Sequence, residues 1–295
     1  MSLVVGAAAH GSPGVSTALQ MVAALWNESS AVPVVVEADA TGGVLAARFE
    51  LSLTPGFVTL AESLRKSEAP ALIDHAQRLP SGIACVTISP SSTAASAQLR
   101  SAGPYLGPYL RESGHPVLLD AGTVTPDGKA IATITMADLL IWFVRPTREE
   151  LLVLRHRLAE CPQPDNVCVV LVGDTPYNAE QVTEAMEVEV LHTLPVDRRA
   201  ATAANHGGDD RFLRRSQLAR SCRQLVERIL TRIGPEPQQT KARSMPAPAS
   251  LPEADDAADG GFDLDDEDDI TLPPAEREDI DEDPDLVVWV DEASH

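Results

Sequence analysis

From residue 11 the chain reads Gly-Ser-Pro-Gly-Val-Ser-Thr-Ala. The apolar run LVVGAAA leads into this stretch and a helical pattern leads out of it. Glycines let successive backbone N–H groups curl around a phosphate, and neighbouring hydroxyls supply ligands for phosphate oxygens or Mg²⁺. The chemistry that suits such a loop is binding of a nucleotide's phosphates, and its full pattern is G-x-x-x-x-G-K-[ST]. Laid on this sequence, Gly11 takes the first glycine, Ser16 the second, Thr17 the lysine and Ala18 the hydroxyl. Ser12, Pro13, Gly14 and Val15 fill the turn between them. Asp39 and Asp120 each follow an apolar run.

These residues need strands to bring them together. Short runs rich in Val, Ile and Leu recur at Leu3–Ala9, Val34–Val36, Ile83–Ile88, Val117–Leu119, Leu139–Val144, Val167–Val172 and Val190–Leu194. Apolar on both faces, they predict central strands of a parallel sheet. Helical patterns lie between them, at 16–26, 91–112, 147–161, 178–187 and 211–233. Ser91 or Ser92 suits the cap of the second, and Thr147 with Glu150 forms a capping-box pattern for the third. The alternation predicts an α/β fold, a mostly parallel sheet with helices on both faces.

Composition divides the chain. Residues 251–295 hold 19 acids and one base, Arg277, and so carry −18 of the total charge of −21. The expected organisation is a folded domain at 1–233, a Pro/Ala/Gln-rich linker at 234–252 and an acidic disordered tail at 253–295. The tail ends in an apolar motif, Leu286, Val287, Val288, Trp289 and Val290, of the kind that adds to a partner's sheet edge or fills a groove. Cys85, Cys161, Cys168 and Cys222 form no CxxC pair, which argues against a zinc site or a disulfide framework. There is neither a signal-peptide pattern nor an apolar run of about 18 residues, so the expected location is cytoplasmic with no transmembrane segment.

Several stretches in order resemble the MinD/ParA family of P-loop ATPases, in the SIMIBI class. "HGSPGVSTAL" is similar to that family's K-G-G-V-G-K-T-T loop, with Ser12 in place of its signature lysine. "VPVVVEADATGGVLAARFELSLTPGFVTLAESL" resembles its second strand, acidic switch I segment and following helix, and "HPVLLDAG" its switch II strand. "ADLLIWFVRPTREELLVLRHRL" resembles the next strand and helix. "VCVVLVGDTPYNAEQVTEAMEVEVLHTLPVDRRAATAANHG" is similar to the segments that flank the adenine. The resemblance spans roughly residues 2–232.

It implies that Gly11–Ala18 cradle phosphates, that Asp39 and Asp120 are the switch acids, and that Pro195 and Asp197 flank the base. The loop is degenerate, because both lysine positions are non-basic. Losing one charge-assisted bond costs about 1.5–3 kcal/mol, or about 10- to 150-fold in affinity. The expectation is therefore a pseudo-ATPase that requires no cofactor and holds ATP with Mg²⁺ weakly at most. It would be a bacterial positioning or assembly scaffold for cell pole or septum placement, chromosome partitioning, or secretion and pilus assembly. The alternatives are an active ATP hydrolase with a lysine-less loop, or an interaction module working through the acidic tail. Expected partners are a protein bound through tail or body and a second copy in a homodimer. The tail's charge disfavours nucleic acid as its direct ligand.

Overall fold

The computed structural model describes residues 2–26, 31–67, 70–207 and 210–234. The predicted linker and tail from residue 235 onward, with the apolar motif at 286–290, lie outside the described residues.

Eight strands form one sheet: β1 Leu3–Ala8, β2 Val34–Glu37, β3 Gln77–Arg78, β4 Ala84–Val86, β5 Val117–Thr123, β6 Leu139–Val144, β7 Val167–Val172 and β8 Val190–Leu194. Their order is β3-β4-β2-β5-β1-β6-β7-β8, and every pair is parallel except β3 with β4. Seven strands stand where the apolar runs predict them. The eighth, β3, is two residues long, too short to leave a pattern in the sequence.

Strand alternation sends side chains to both faces, and both are covered. On β6, Leu140, Trp142 and Val144 enter one apolar cluster, while Leu139, Ile141 and Phe143 enter the other. The first cluster is roofed by α3 Phe57–Arg65, α4 Ser92–Ala102, α5 Leu106–Glu112, α7 Arg148–Glu160 and α8 Ala179–Met186. The second is roofed by α1 Val15–Ala24, α2 Leu45–Arg48, α9 Arg198–Asn205 and α11 Gln217–Ile233. Two short helices, α6 Ile131–Ile134 and α10 Asp210–Arg215, complete the set. On α11, Leu218, Cys222, Leu225, Val226 and Ile229 are buried, as their helical spacing predicts.

Three local expectations change. The helix expected over 91–112 breaks at Gly103 (φ +49), and a 3-10 turn at Gly103–Tyr105 separates α4 from α5. The helix expected over 211–233 breaks at Ser216, whose hydroxyl accepts from the Ala219 N–H (3.0 Å) and donates to the Leu213 carbonyl (2.7 Å). At α7 the capping box is half made. Thr147 accepts from the Glu150 N–H, but the Glu150 carboxylate turns to Arg145, accepting from its N–H at 2.9 Å and its guanidinium at 2.8 Å.

Candidate functional site

β1 ends at Ala8, in the middle of the sheet, and the chain turns at once into α1. Two glycines make that turn possible: Gly11 at φ +65 and Gly14 at φ +98, in the left-handed region. Gly14 is the cap of α1, and its carbonyl accepts the first helical bond from Ala18 N–H (2.9 Å). A glycine cap has no side chain to take the first-turn N–H groups, and α1 has no acidic residue in that turn. Those donors face the loop.

This geometry moves the loop's frame. In G-x-x-x-x-G-K-[ST] the second glycine opens the helix, the lysine follows it, and the hydroxyl comes next. Gly14 opens the helix here, so Val15 takes the lysine position and Ser16 the hydroxyl position. The frame expected from sequence, with Ser16 as the glycine, Thr17 as the lysine and Ala18 as the hydroxyl, is two residues late. In the corrected frame the residue at the signature-lysine position is His10, which is exposed.

The side chains agree with the corrected frame. The Ser16 hydroxyl lies near the Asp120 carboxylate of β5 and favours its charged form. Val15 is buried, beneath the loop, against Gly6 of β1, where an added Cβ would lie 3.1 Å from Val15 Cγ1. Thr17 faces away from the loop, and its hydroxyl donates to Asn205 Oδ1 (3.0 Å). Ala18 and Pro13 are buried, whereas Gly11 and Ser12 are exposed. Two contacts brace the loop from outside: Arg145 Nη2 donates to the Ser12 carbonyl (3.1 Å), and Thr123 Oγ1 to the Gly11 carbonyl (3.3 Å).

Three acids gather beside it. Glu37 and Asp120 are register partners on β2 and β5, and both are buried. Asp120 accepts from the Gly122 N–H (3.0 Å); burial pushes its pKa to about 6, helped by nearby Asp39 and opposed by its hydrogen bonds and Arg48. Glu37 Oε1 accepts from the Val44 and Leu45 N–H groups (2.8 and 2.9 Å), and Oε2 from Ile88 N–H (3.3 Å). Burial pushes its pKa to about 7 against those bonds. Glu37 therefore staples the start of α2 to the sheet. Asp39, half-buried, accepts from the Thr41 N–H (2.8 Å) and hydroxyl (2.7 Å), and burial raises its pKa.

Raised carboxyl pKa values give a signed pH effect. A carboxyl whose folded pKa exceeds its unfolded value binds more protons folded than unfolded across that interval, so stability falls as pH rises through it. For Glu37 the interval runs from 4.5 to about 7. The shift corresponds to about 3 kcal/mol. Urea denaturation is expected to show stability declining from about pH 4.5 to about pH 7 and levelling above. In Glu37→Gln the decline is expected to shrink, leaving the share due to Asp120; an unchanged slope would show that Glu37 does not titrate in this window.

Of the expected base-pocket residues, Asp197 caps α9, its Oδ1 accepting from the Ala200 N–H (2.9 Å). Pro195 is half-buried and Val196 exposed. A Cβ on Gly173, at the end of β7, would lie 3.4 Å from Val196 Cγ2 and 3.9 Å from Pro146 Cδ. Pro146, Gly173 and Val196 thus form an apolar shelf beyond the ends of β6, β7 and β8. Three other residues escape a motif reading. Arg48 donates to Asn205 Oδ1 (2.9 Å), the atom that also accepts from Thr17, and Arg145 clamps the loop through Glu150 and Ser12. Their only advance signal is position: Arg145 directly follows β6, and Arg48 and Asn205 each end the helix after a strand.

The site thus offers the uncapped N-terminus of α1, a hydroxyl–carboxylate pair and a shelf, all toward the C-terminal ends of parallel strands. That is where an open α/β sheet binds ligands. No protein-family model matches the chain, and no curated protein matches its sequence. Solved structures do match in shape. A ParA family ATPase from Chlorobium tepidum TLS is 15% identical, over 77% of this chain and 99% of that one, with a TM-score of 0.66. The septum site-determining protein MinD of Pyrococcus horikoshii OT3, complexed with Mg-ADP, is 14% identical, over 78% and 96%, at 0.61. A chain of the MinC:MinD cell division protein complex of Aquifex aeolicus is 10% identical, over 81% and 99%, at 0.59. With strand order, loop placement and these matches together, the chain has the fold of the MinD and ParA P-loop ATPases.

Proposed function

We propose that this protein is a MinD/ParA-like scaffold for positioning or assembly whose nucleotide site is degenerate. The observation that carries the reading is Val15, a buried aliphatic residue at the loop position where catalysis needs a lysine. Phosphoryl transfer depends almost wholly on positioning and on neutralising charge, so loss of that cation weakens hydrolysis more than binding. What remains fits a weakly held Mg²⁺-nucleotide. The N–H groups of the Gly11–Ser16 turn would cradle phosphates, Ser16 and Asp120 would hold the Mg²⁺ and its water, and the Pro146/Gly173/Val196 shelf would meet the base. The metal would supply charge neutralisation at the phosphates. Asp39 sits beside that place, braced by Thr41.

The solved relatives support the general role, since their own descriptions include septum site determination and a cell division complex with MinC. Septum or pole placement, chromosome partitioning and secretion or pilus assembly are the settings in which such a scaffold would act. A protein partner captured by the body or by the 286–290 motif would take over the output that nucleotide turnover no longer drives.

Calorimetric titration with ATP and Mg²⁺, followed by a phosphate-release assay, tests the reading. Expected are a dissociation constant weaker than the micromolar range and turnover at background. Micromolar binding with Mg²⁺-dependent turnover would instead establish the second reading, an active lysine-less ATPase, which the retained Ser16–Asp120 pair favours.

A further inference from the structure

The second face of the sheet ends in a concentrated positive surface. Residues 198–232 contain nine arginines and no lysine, against three acids, Asp209, Asp210 and Glu227. Eight of the nine arginines are exposed: all but Arg232. The three helices that carry them are fastened into one surface. Arg199 of α9 stacks over Phe212 of α10, 4.4 Å from the ring centre. Arg223 of α11 donates to the Arg214 carbonyl at the end of α10 (3.0 Å). Eight exposed guanidinium-bearing side chains on three joined helices give this face a strongly positive potential.

We propose that this arginine face, built from α9, α10 and α11, is the docking surface for the chain's own acidic segment, 251–295. Docking of this kind does not depend on the state of the nucleotide site. Charge complementarity gives the sign: nineteen acids and one base meet a stretch of net charge +6. The connection gives the reach. The segment is joined to the end of α11 by residues 234–250, which span about 55 Å at full extension, whereas the 17 residues of α11 are about 25 Å long. The acidic segment can therefore return along the helix to Arg215 and Arg220. Tethering places it at an effective concentration in the millimolar range, which a free polyanion must exceed to compete. Docking there would mask the face and would be screened by salt.

The test uses the full chain. Ser294→Cys gives one accessible thiol, because all four native cysteines are buried and free. A nitroxide on that introduced thiol is expected to broaden the amide signals of 211–223 in about 50 mM salt, independently of protein concentration, and to stop doing so in about 1 M salt. Adding Arg215→Glu with Arg220→Glu, two exposed positions, is expected to abolish the broadening while the thermal melt stays unchanged. If that pair unfolds the domain, Arg215→Gln with Arg220→Gln is expected to reduce the broadening with the fold intact. Three results overturn the proposal: no broadening on this face in low salt, broadening that survives the charge changes, or broadening that rises with protein concentration. No broadening in low salt together with shifts of the 211–223 amides on adding equimolar duplex DNA would overturn it in favour of a nucleic-acid surface.

Discussion

Val15→Lys is expected to raise affinity for Mg²⁺-ATP about 10- to 150-fold, the worth of one charge-assisted hydrogen bond to a phosphate. Thr17→Lys is expected to raise it little or not at all. The pair separates the two frames of the loop. Val15 directly follows the glycine that opens α1. A lysine there keeps the first carbons of its stem over Gly6 and carries its ammonium out toward the loop, because long cationic side chains bury their stems and hydrate their heads. Thr17 is two positions further on and points at Asn205, between α1 and α9. A lysine at 17 would add charge near Arg48, away from the phosphates, and would break the Thr17–Asn205 bond. Isothermal titration of both variants beside the parent protein decides the matter. A gain from Thr17→Lys with none from Val15→Lys would restore the frame first read from sequence. Turnover is expected to rise less than affinity, since one cation completes only part of the charge clamp that phosphoryl transfer needs.

The architecture was legible because its signal is redundant. Each inner strand is a run of β-branched or aliphatic residues buried on both faces, and β6, β7 and β8 begin and end at the residues the pattern marks. The carboxylates beside the loop were legible for a related reason. Asp120 stands in the run that continues past Leu119 as β5, and Asp39 lies two residues past the end of β2. The loop's frame was not legible, because a motif match counts residue types, and Ser16 and Thr17 satisfy a hydroxyl requirement equally well. Only backbone conformation distinguishes Gly11 from Gly14, one inside the loop and one capping the helix. Glu37 stands two residues before Asp39 at the end of β2, yet it serves three backbone N–H groups of loops that no local pattern connects. The break at Ser216 is of the same kind: within "RRSQLAR" the helical apolar spacing runs on, while the serine hydroxyl supplies a competing cap.

Gly122→Ala is expected to destabilise the domain by about 2–4 kcal/mol, lowering the melting temperature by roughly 5–15 °C. Gly122 lies just past Asp120 on β5 at φ +58, a conformation that costs an alanine about 1–2 kcal/mol by itself. The larger part is steric. A Cβ at 122 would stand 1.9 Å from Asp39 Oδ2, 2.0 Å from its Cγ and 2.6 Å from its Cβ. Swinging the carboxylate aside clears the first two contacts but gives up the bonds from the Thr41 N–H and hydroxyl. The third contact needs movement of the main chain at 39 or at 122, and Gly122 is tied through its N–H to Asp120. Gly14→Ala is the internal control. It has φ +98 but nothing within 4 Å of the added Cβ, so it is expected to lose only the backbone share. Asp39→Ala combined with Gly122→Ala is expected to recover part of the loss, because the carboxyl is gone and the Cβ remains. Equal melting temperatures for Gly14→Ala and Gly122→Ala would show that Asp39 does not pack against β5. Asp39 and Asp120 are both held by this one glycine. Any group that moves Asp39, a bound cation included, would then move the end of β5 and the Ser16–Asp120 pair with it.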